Sequence, residues 1–249
     1  QFLAFDNNFD PLNFSIADVN VFIDKQDVNV DSLLFQNASN SKKLELLIAM
    51  ELSQATNSED IDFINKFVKY LQLLPSLNTN KSIHIQLIAF NNNPILLWDN
   101  SNNEIPDLNT VLTNPSYKRV DLNNFFNNPI LSEFIQQKSD KSLILLSKSN
   151  AKLDLNFFQK QIVDNSIKFL NINLGRYKQN KYADFAQITN TLYLNISDFS
   201  RIDNIFPSLI FLSLGGNLHK VYWQNILDAN SHNLEIHLNN LSDNIDFRV

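Results

Sequence analysis

Two oxygen-bearing side chains stand two residues apart at the end of an apolar run. Residues 44–50, LELLIAM, are nearly all apolar, and Glu51 and Ser53 follow them. A carboxylate at the tip of a buried strand raises the question of which charge or donor it faces. The Ser53 hydroxyl could act as a nucleophile if a base adjoined it, but no His lies in an obviously adjacent element. We therefore predict that the chain is not an enzyme.

Other residues that could carry chemistry give weaker signals. His232 and His237 lie five residues apart on a predicted hairpin, and with no Cys in the chain zinc binding is disfavoured; exposed sheet histidines are expected instead. The chain has only three glycines, so it has no phosphate-binding loop, dinucleotide fingerprint or nucleophile elbow. Glu59, Asp60 and Asp62 are interpreted as the solvated start of a helix rather than a cation site. We expect no cofactor.

Composition limits the class of partner. The 249 residues carry a formal net charge of −6, which argues against nucleic acid or an anionic membrane surface as the main partner. Hydrophobic residues make up 44% of the chain, enough for a sizeable core, and no apolar run approaches the length of a membrane-spanning helix. The many Asn residues are attributed to an AT-rich genome. The chain begins with Gln, which suggests a processed or truncated piece.

The elements that must position Glu51 and Ser53 alternate between strands and helices. Strands are predicted at 44–50, 82–90, 94–99, 142–147, 167–175 and 191–196. A first helix has Ile61, Ile64, Phe67, Val68, Leu71 and Leu74 on one face and is expected to end at Pro75. Further helices are predicted over 153–166 (Leu155, Phe158, Ile162 and Val163 inward), around Tyr182, Phe185, Ala186 and Ile188, and near 202–211.

This order predicts an α/β fold with a doubly wound, mostly parallel sheet covered by helices on both faces. Residues 82–99, with the polar turn 91–93, are expected to form a hairpin that adds an antiparallel neighbour. The two chain ends alternate apolar with polar residues and lack helical periodicity. We predict that 1–43 and 215–249 pair into one small antiparallel β-sandwich, with 44–214 inserted between them.

The stretch 44–214 resembles the von Willebrand factor A (vWA) domain. LELLIAMELSQATNSEDIDFINKFV (44–68) aligns without gaps with that family's first strand, metal-site loop and first helix. SLILLSKSN (142–150) sits where the family has a strand ending in a Thr-Asp-Gly-like turn, and 167–209 resembles the closing half. The flanks, HKVYWQNILDANSHNLEIHL (219–238) among them, are similar to the β-sandwich strands beside such domains in bacterial proteins. The resemblance implies a ligand site at the carboxyl ends of the central strands.

The family's metal-ion-dependent adhesion site (MIDAS) is degenerate in this sequence. Its leading Asp falls on Glu51, its first Ser on Ser53, its second Ser on Ala55 and its last Asp on Lys148. The Thr position lies within 119–126, which holds no Thr; the nearest polar substitutes are Asn123 and Asn124. An ammonium in the cage repels a dication, so we predict no metal and hypothesise that Lys148 pairs with Glu51. The alternative is that the two side chains point separately into water.

Two functions remain open. The first is a non-enzymatic protein-interaction or adhesion module of a bacterial surface protein, which binds a host or same-complex protein through the rim loops without a metal ion. The second is a structural subunit of a larger surface or motor-like complex, in which the degenerate vWA domain serves assembly only. An extracellular or cell-surface location is expected from the resemblance.

Overall fold

A computed structural model shows a chain that divides into two compact units. The flanking unit comprises Gln1–Asp6, Asp10–Asn37 and Asn217–Val249, and the central unit comprises Asn7–Phe9 and Ala38–Gly216. The sequence predicted the boundaries between the two units at residues 43/44 and 214/215. The structure describes residues 12, 14–34, 42–53, 56–77, 82–90, 94–101, 108, 122, 125–148, 154–175, 180–189, 191, 193–196, 202–214, 216, 219–222, 231–238 and 241–248.

The central unit is built on a six-stranded sheet. Its strands are β4 (Lys43–Glu51), β5 (Ser82–Phe90), β6 (Ile95–Asp99), β7 (Asp140–Ser147), β8 (Ile167–Asn173) and β9 (Tyr193–Asn195). Their order across the sheet is β6-β5-β4-β7-β8-β9. All neighbours run parallel except β5 and β6, which are antiparallel. The predicted doubly wound sheet and its antiparallel hairpin are confirmed.

Five helices belong to the described part of the central unit; four lie between successive strands of the sheet and the fifth follows β9. They are α1 (Ser58–Leu77), α2 (Pro129–Gln136), α3 (Leu155–Asp164), α4 (Asn180–Ile188) and α5 (Ile202–Ser213), and a 3₁₀ turn at Phe125–Asn127 precedes α2. None of these helices is both long and apolar enough to cross a membrane. The prediction that Pro75 ends the first helix is wrong, because α1 continues to Leu77.

Both faces of the sheet are buried, as continuous strand apolarity predicts. Leu47 and Ala49 of β4 lie in a cluster that includes aromatic side chains of the 3₁₀ turn, α2, α3 and α4. The alternate residues Leu46, Ile48 and Met50, which point to the opposite face, are equally buried. The predictions that Leu155 and Val163 face inward are wrong, because both lie near the ends of α3 and are exposed. Ile188 lies at the end of α4, as predicted, and is also exposed.

The flanking unit contains two antiparallel sheets. Its strands are β1 (Val19–Ile23), β2 (Gln26–Val28), β3 (Ser32–Leu34), β10 (Lys220–Tyr222), β11 (Ser231–Leu238) and β12 (Leu241–Arg248). Four of them form a sheet in the order β12-β11-β1-β2, and β10 pairs with β3 in a two-stranded sheet. Asp24 and Lys25, both at positive φ, form the two-residue turn between β1 and β2. The chain ends therefore pair with each other in antiparallel sheets.

Candidate functional site

The candidate site lies where the strand order of the central sheet reverses. β4 is followed by β5 on one side, whereas β7, on the other side of β4, is followed by β8. In open α/β sheets the connections on the two sides lead away from such a point and leave a crevice at the carboxyl ends of the strands. Glu51 is the last residue of β4, and Lys148 follows the last residue of β7. The sequence-predicted pair thus borders the crevice.

Glu51 is buried and held by backbone groups of the loops around it. Its carboxylate oxygen Oε2 accepts a hydrogen bond from the backbone N–H of Lys148 at 2.9 Å. The Thr56 hydroxyl donates to the Glu51 carbonyl and accepts from the Ser53 N–H, both at 3.1 Å. The Leu52 N–H donates to the Phe90 carbonyl at 2.8 Å. These bonds fix the turn between β4 and α1 against both neighbouring strands.

The Lys148 ammonium forms a salt bridge with Asp60 of α1. The side chain of Lys148 is 17% exposed and that of Asp60 is 1% exposed, so the pair is largely sheltered from water. The interpretation of Asp60 as part of a solvated helix start is therefore wrong, whereas Glu59 and Asp62 are exposed as expected.

Asp60 also closes the first turn of α1. Its Oδ2 accepts from the Asn57 N–H at 2.7 Å, and the Asn57 side chain accepts from the Asp60 N–H at 3.1 Å. This reciprocal arrangement is a capping box, which satisfies two backbone donors that a helix start leaves without partners. The other oxygen, Oδ1, is buried and has no hydrogen-bond partner among the described residues. Asp60 therefore joins the start of α1 to the end of β7 through Lys148.

Strand geometry explains why the ammonium goes to Asp60. Met50 of β4 is level with Leu146 of β7, so Glu51 is level with Ser147. Successive side chains of a strand point to opposite faces, so the Lys148 side chain leaves the sheet on the face opposite to the Glu51 side chain. The hypothesis paired the Lys148 ammonium with Glu51; the structure shows the ammonium in a salt bridge with Asp60, and Glu51 accepts from the Lys148 backbone N–H instead.

A row of polar side chains crosses the sheet beside Glu51, and the sequence analysis missed it. Ser147 is level with Asn173 of β8, which is level with Asn195 of β9. We call Glu51, Ser147, Asn173 and Asn195 the polar row. The Asn173 amide donates to Asn195 Oδ1 at 2.8 Å and accepts from the Gly175 N–H at 3.2 Å. The only signal in the sequence is the position of these residues at the ends of predicted strands.

Asn171, one step deeper on the same face, supports the polar row from below. Its amide nitrogen donates to the Ser147 hydroxyl and to the Leu145 carbonyl, both at 3.0 Å. Ser147, Asn171 and Asn173 are all fully buried. Hydrogen bonds among buried polar groups offset the cost of removing them from water. Glu51, Ser147 and Asn173 of the polar row therefore belong to the protein interior, whereas Asn195 at its end is half-buried.

Tyr182 of α4 packs in the cluster on the face of the sheet that carries Glu51. The residue is fully buried within the aromatic cluster. Its pKa is raised chiefly by burial, and further by the negative charges of Glu51 and Tyr193. The phenol therefore stays neutral next to the Glu51 carboxylate.

The residues at this point do not fit a divalent cation. One Glu51 oxygen already accepts a hydrogen bond from the Lys148 backbone N–H, and the Asp60 carboxylate is paired with the Lys148 ammonium. An ammonium inside the ligand set would repel the ion. Among the described residues there is no group of three or more His, Asp or Glu side chains that could hold a metal. The Ser53 side chain is half-buried, whereas Ala55, Asn123 and Asn124 lie outside the described residues.

The histidines differ from the prediction of exposed sheet residues. His232 and His237 both lie on β11, which forms an antiparallel hairpin with β12, as predicted. His232 is buried, and its Nδ1 lies 2.8 Å from Asp24 Oδ2 in the β1–β2 turn. His237 is half-buried and contacts Glu235 at 3.3 Å. Each histidine thus has a carboxylate neighbour in the flanking unit.

No protein-family model and no curated protein matches this sequence. Solved structures do resemble it. One is proximal thread matrix protein 1 from the mussel byssus, in a form with a zinc-occupied MIDAS motif: TM-score 0.52, 12% identity, 77% of this chain covered and 49% of that one. Another is BatB from Bacteroides thetaiotaomicron, with a TM-score of 0.50 and 10% sequence identity; the match covers 69% of this chain and 97% of BatB. The chain spans about half the length of the mussel protein. This protein has a vWA-like fold.

Proposed function

We propose that the chain is a non-enzymatic protein-interaction or adhesion module that binds its partner through the rim of the central unit without a metal ion. The observation that carries this proposal is the position of Lys148. Its amide holds the buried Glu51 carboxylate and its ammonium holds the buried Asp60 carboxylate. In this proposal the Lys148 side chain, an internal cation at the carboxyl edge of the sheet, takes the place of a bound ion.

In this proposal the buried residues shape the rim and the loops above them touch the partner. Glu51 and Lys148 fix the ends of β4 and β7 relative to α1. Ser53, half-buried in the β4–α1 turn, is the described residue placed to contact a partner. Ala55, Asn123 and Asn124 are proposed to contribute from the same rim. Loops on a rigid scaffold are the usual carriers of binding, and the scaffold here is a sheet whose central strands are buried on both faces.

The proposed partner is another protein, either of a host or of the same complex, and the proposed location is the surface of a bacterial cell. Acidic net charge disfavours nucleic acid as the ligand. The vWA-like fold supports an interaction role, because the fold presents its loops at one edge of the sheet. No catalytic role is proposed for Ser53; hydrolysis of an ester substrate that disappears in S53A would contradict this part of the proposal.

The test is binding to a panel of purified extracellular-matrix and bacterial surface proteins, measured by biolayer interferometry in Mg²⁺ and in EDTA. We expect saturable binding to at least one protein, with the same Kd in both buffers. S53E should weaken binding, because it places a charge in the rim. K138E is the matched control, because exposed Lys138 precedes β7 at the opposite end of the sheet. Loss of binding in EDTA, or equal weakening by the two variants, would overturn the proposal.

A second candidate is a structural subunit whose contacts lie away from the rim. Exposed Val163 and Ile188, at the carboxyl ends of α3 and α4, favour it, because both lie at helix ends remote from the carboxyl edge of the sheet. Size-exclusion chromatography with light scattering of the wild type and of a V163K/I188K variant distinguishes the two functions. A stable oligomer that the double variant dissociates supports the structural role, whereas a monomer supports the interaction module.

A further inference from the structure

Strand β6 pairs with β5 in two registers that differ by one residue. Each half of β6 has two opposed pairs: Ala89 with Ile95 and Ile88 with Leu96, then Leu87 with Trp98 and Gln86 with Asp99. No residue of β5 lies opposite Leu97, which is therefore the extra residue of a β-bulge. A bulge interrupts the ladder between two strands, so the two registers need contacts that hold them apart.

The register of the second half keeps Trp98 on a buried face of the sheet. Trp98 is buried and lies on the same face as Leu87. If the first register continued along β6 without a bulge, Trp98 would lie opposite Gln86 and its side chain would leave the sheet on the other face. A slip by one residue is therefore the arrangement that competes with the observed one.

Asn100, the residue that follows β6, is held to β5 by three hydrogen bonds. Its backbone N–H donates to the Ile85 carbonyl at 2.9 Å. Its side-chain oxygen Oδ1 accepts from the Ile85 N–H at 3.0 Å, and its Nδ2 donates to the Ile83 carbonyl at 2.9 Å. In a regular antiparallel pair the Ile85 N–H would donate to the main-chain carbonyl of the opposite residue. The Asn100 side chain thus continues the second register by one residue beyond the end of β6.

The turn after β6 explains why a side chain takes this place. The Asp99 carboxylate accepts from the Ser101 N–H at 2.8 Å and from the Ser101 hydroxyl. A carboxylate that accepts from the N–H two residues further on closes an Asx turn, and this turn ends the strand. The amide of Asn carries a donor and an acceptor, as a peptide group does. Asn100 can therefore pair with β5 where the main chain turns.

The opposite end of β6 is held in the first register. The Pro94 carbonyl accepts from Asn128 Nδ2 at 3.3 Å, and the Asn128 side chain also caps α2. The pairing of Ala89 with Ile95 leaves residues 90–94 for the connection between the two strands. Because contacts at both ends fix β6 in different registers, the extra residue stays between them.

We propose that Asn100 is a register lock: its side-chain amide holds the second half of β6 against a slip by one residue that would remove the bulge and turn Trp98 to the other face. One hydrogen bond typically changes such an equilibrium by about fivefold, so loss of the two side-chain bonds should favour open or slipped states by about tenfold or more. The inference concerns this hairpin alone and does not depend on the proposed function.

The test is native-state hydrogen exchange of the full chain, ¹⁵N-labelled and followed by NMR. The amides of Ile85 and Trp98 are measured relative to that of Ile48 in the central strand β4, which corrects for a change in global stability. We expect both to exchange about tenfold faster or more in N100A than in the wild type. N156A is the matched control, because it makes the same truncation at an exposed position of α3 and should leave both rates unchanged. Wild-type rates in N100A would overturn the proposal.

Deletion of Leu97 separates a register lock from an ordinary contact at the end of a strand. Without Leu97 the two registers merge into one ladder, and Trp98 stays opposite Leu87 with no bulge to remove. In that background N100A should still speed exchange at Ile85, which loses an acceptor, but should leave the rate at Trp98 within about twofold. An equal effect on Trp98 with and without Leu97 would contradict the lock.

The wild type alone provides a test that needs no variant to fold. Gln86 and Asp99 lie between two hydrogen-bonded pairs, so their Cα atoms belong to a closely spaced pair. We expect a strong NOE between the Hα atoms of these two residues. An NOE from Gln86 Hα to Trp98 Hα in its place would show the slipped register in the wild type and overturn the proposal.

Discussion

Replacing Lys148 by methionine should destabilise the central unit far more than the loss of one surface charge. The variant keeps the length of the side chain and removes the ammonium, so the Asp60 carboxylate, 1% exposed, loses its recorded ion-pair partner. Removing one member of a buried pair costs about 3–5 kcal/mol, because the remaining charge stays buried without compensation. An exposed pair contributes at most about 1 kcal/mol. For a unit of this size the larger cost lowers Tm by roughly 6–20 °C.

The assay should follow the central unit alone, because the chain divides into two units that can unfold separately. The chain has two tryptophans, Trp98 in the central unit and Trp223 in the flanking unit. In a W223F background the remaining indole, buried Trp98, reports on the central unit. Urea unfolding of this protein with and without K148M then gives the difference in unfolding free energy, and equal m values verify that the same transition is compared.

Two further variants isolate the ion pair. D60N keeps an oxygen that can accept from the Asn57 N–H but removes the charge, so K148M/D60N should recover at least half of the stability that K148M loses. K160M, on the exposed face of α3, is the matched control and should change stability by less than about 0.5 kcal/mol. A loss below about 1 kcal/mol in K148M would refute the reasoning, because it would show that the pair is effectively solvated.

The other predictions concern the same edge of the sheet and the flanking unit. G175A should lose about 1–3 kcal/mol in urea unfolding, because the new Cβ would lie 2.5 Å from the Lys148 carbonyl oxygen. N57A should cost about 1 kcal/mol through loss of the α1 cap, comparable to N128A, whose side chain accepts from the Ile130 N–H at the start of α2. The flanking unit should lose stability as pH falls below about 6.5, because burial lowers the pKa of His219 and its folded form resists protonation. H219Q should flatten this slope in thermal melts between pH 5 and 8, and an unchanged slope would contradict the assignment.

Continuous apolarity made the sheet predictable, because a strand buried on both faces shows no polar alternation. The runs 44–50, 82–90 and 142–147 correspond closely to β4, β5 and β7. Helix α2 was not predicted, although Asn128 and Pro129 are a typical cap and first residue of a helix. Leu155 and Val163 were misassigned because they occupy the first and next-to-last positions of α3, where the helix extends beyond its neighbours.

The sequence predicts where the candidate site lies in the fold, but it does not predict which side chains contact each other there. Position at strand ends brings Glu51 and Lys148 together in any parallel sheet with this order. The side on which each side chain emerges depends on the register of β4 against β7, which no local pattern reveals. The same register aligns Ser147, Asn173 and Asn195 into the polar row. In the sequence these residues are separated by 26 and 22 positions, so only the paired strands bring them side by side.

The Lys148 ammonium is covalently part of the chain, so its presence does not depend on the medium, whereas a bound metal ion can be lost. A site held together by a divalent ion depends on the supply of that ion, and a chelator removes it. Lys148 is attached to the chain, so its contacts with Glu51 of β4 and Asp60 of α1 persist in any ionic medium that preserves the fold. The Lys148 ammonium is held by Asp60 and is only 17% exposed, so little of it can reach a partner's carboxylate. If the rim binds a partner as proposed, recognition there relies mainly on the shape and hydrogen bonding of the loops and should not change with the supply of a metal ion.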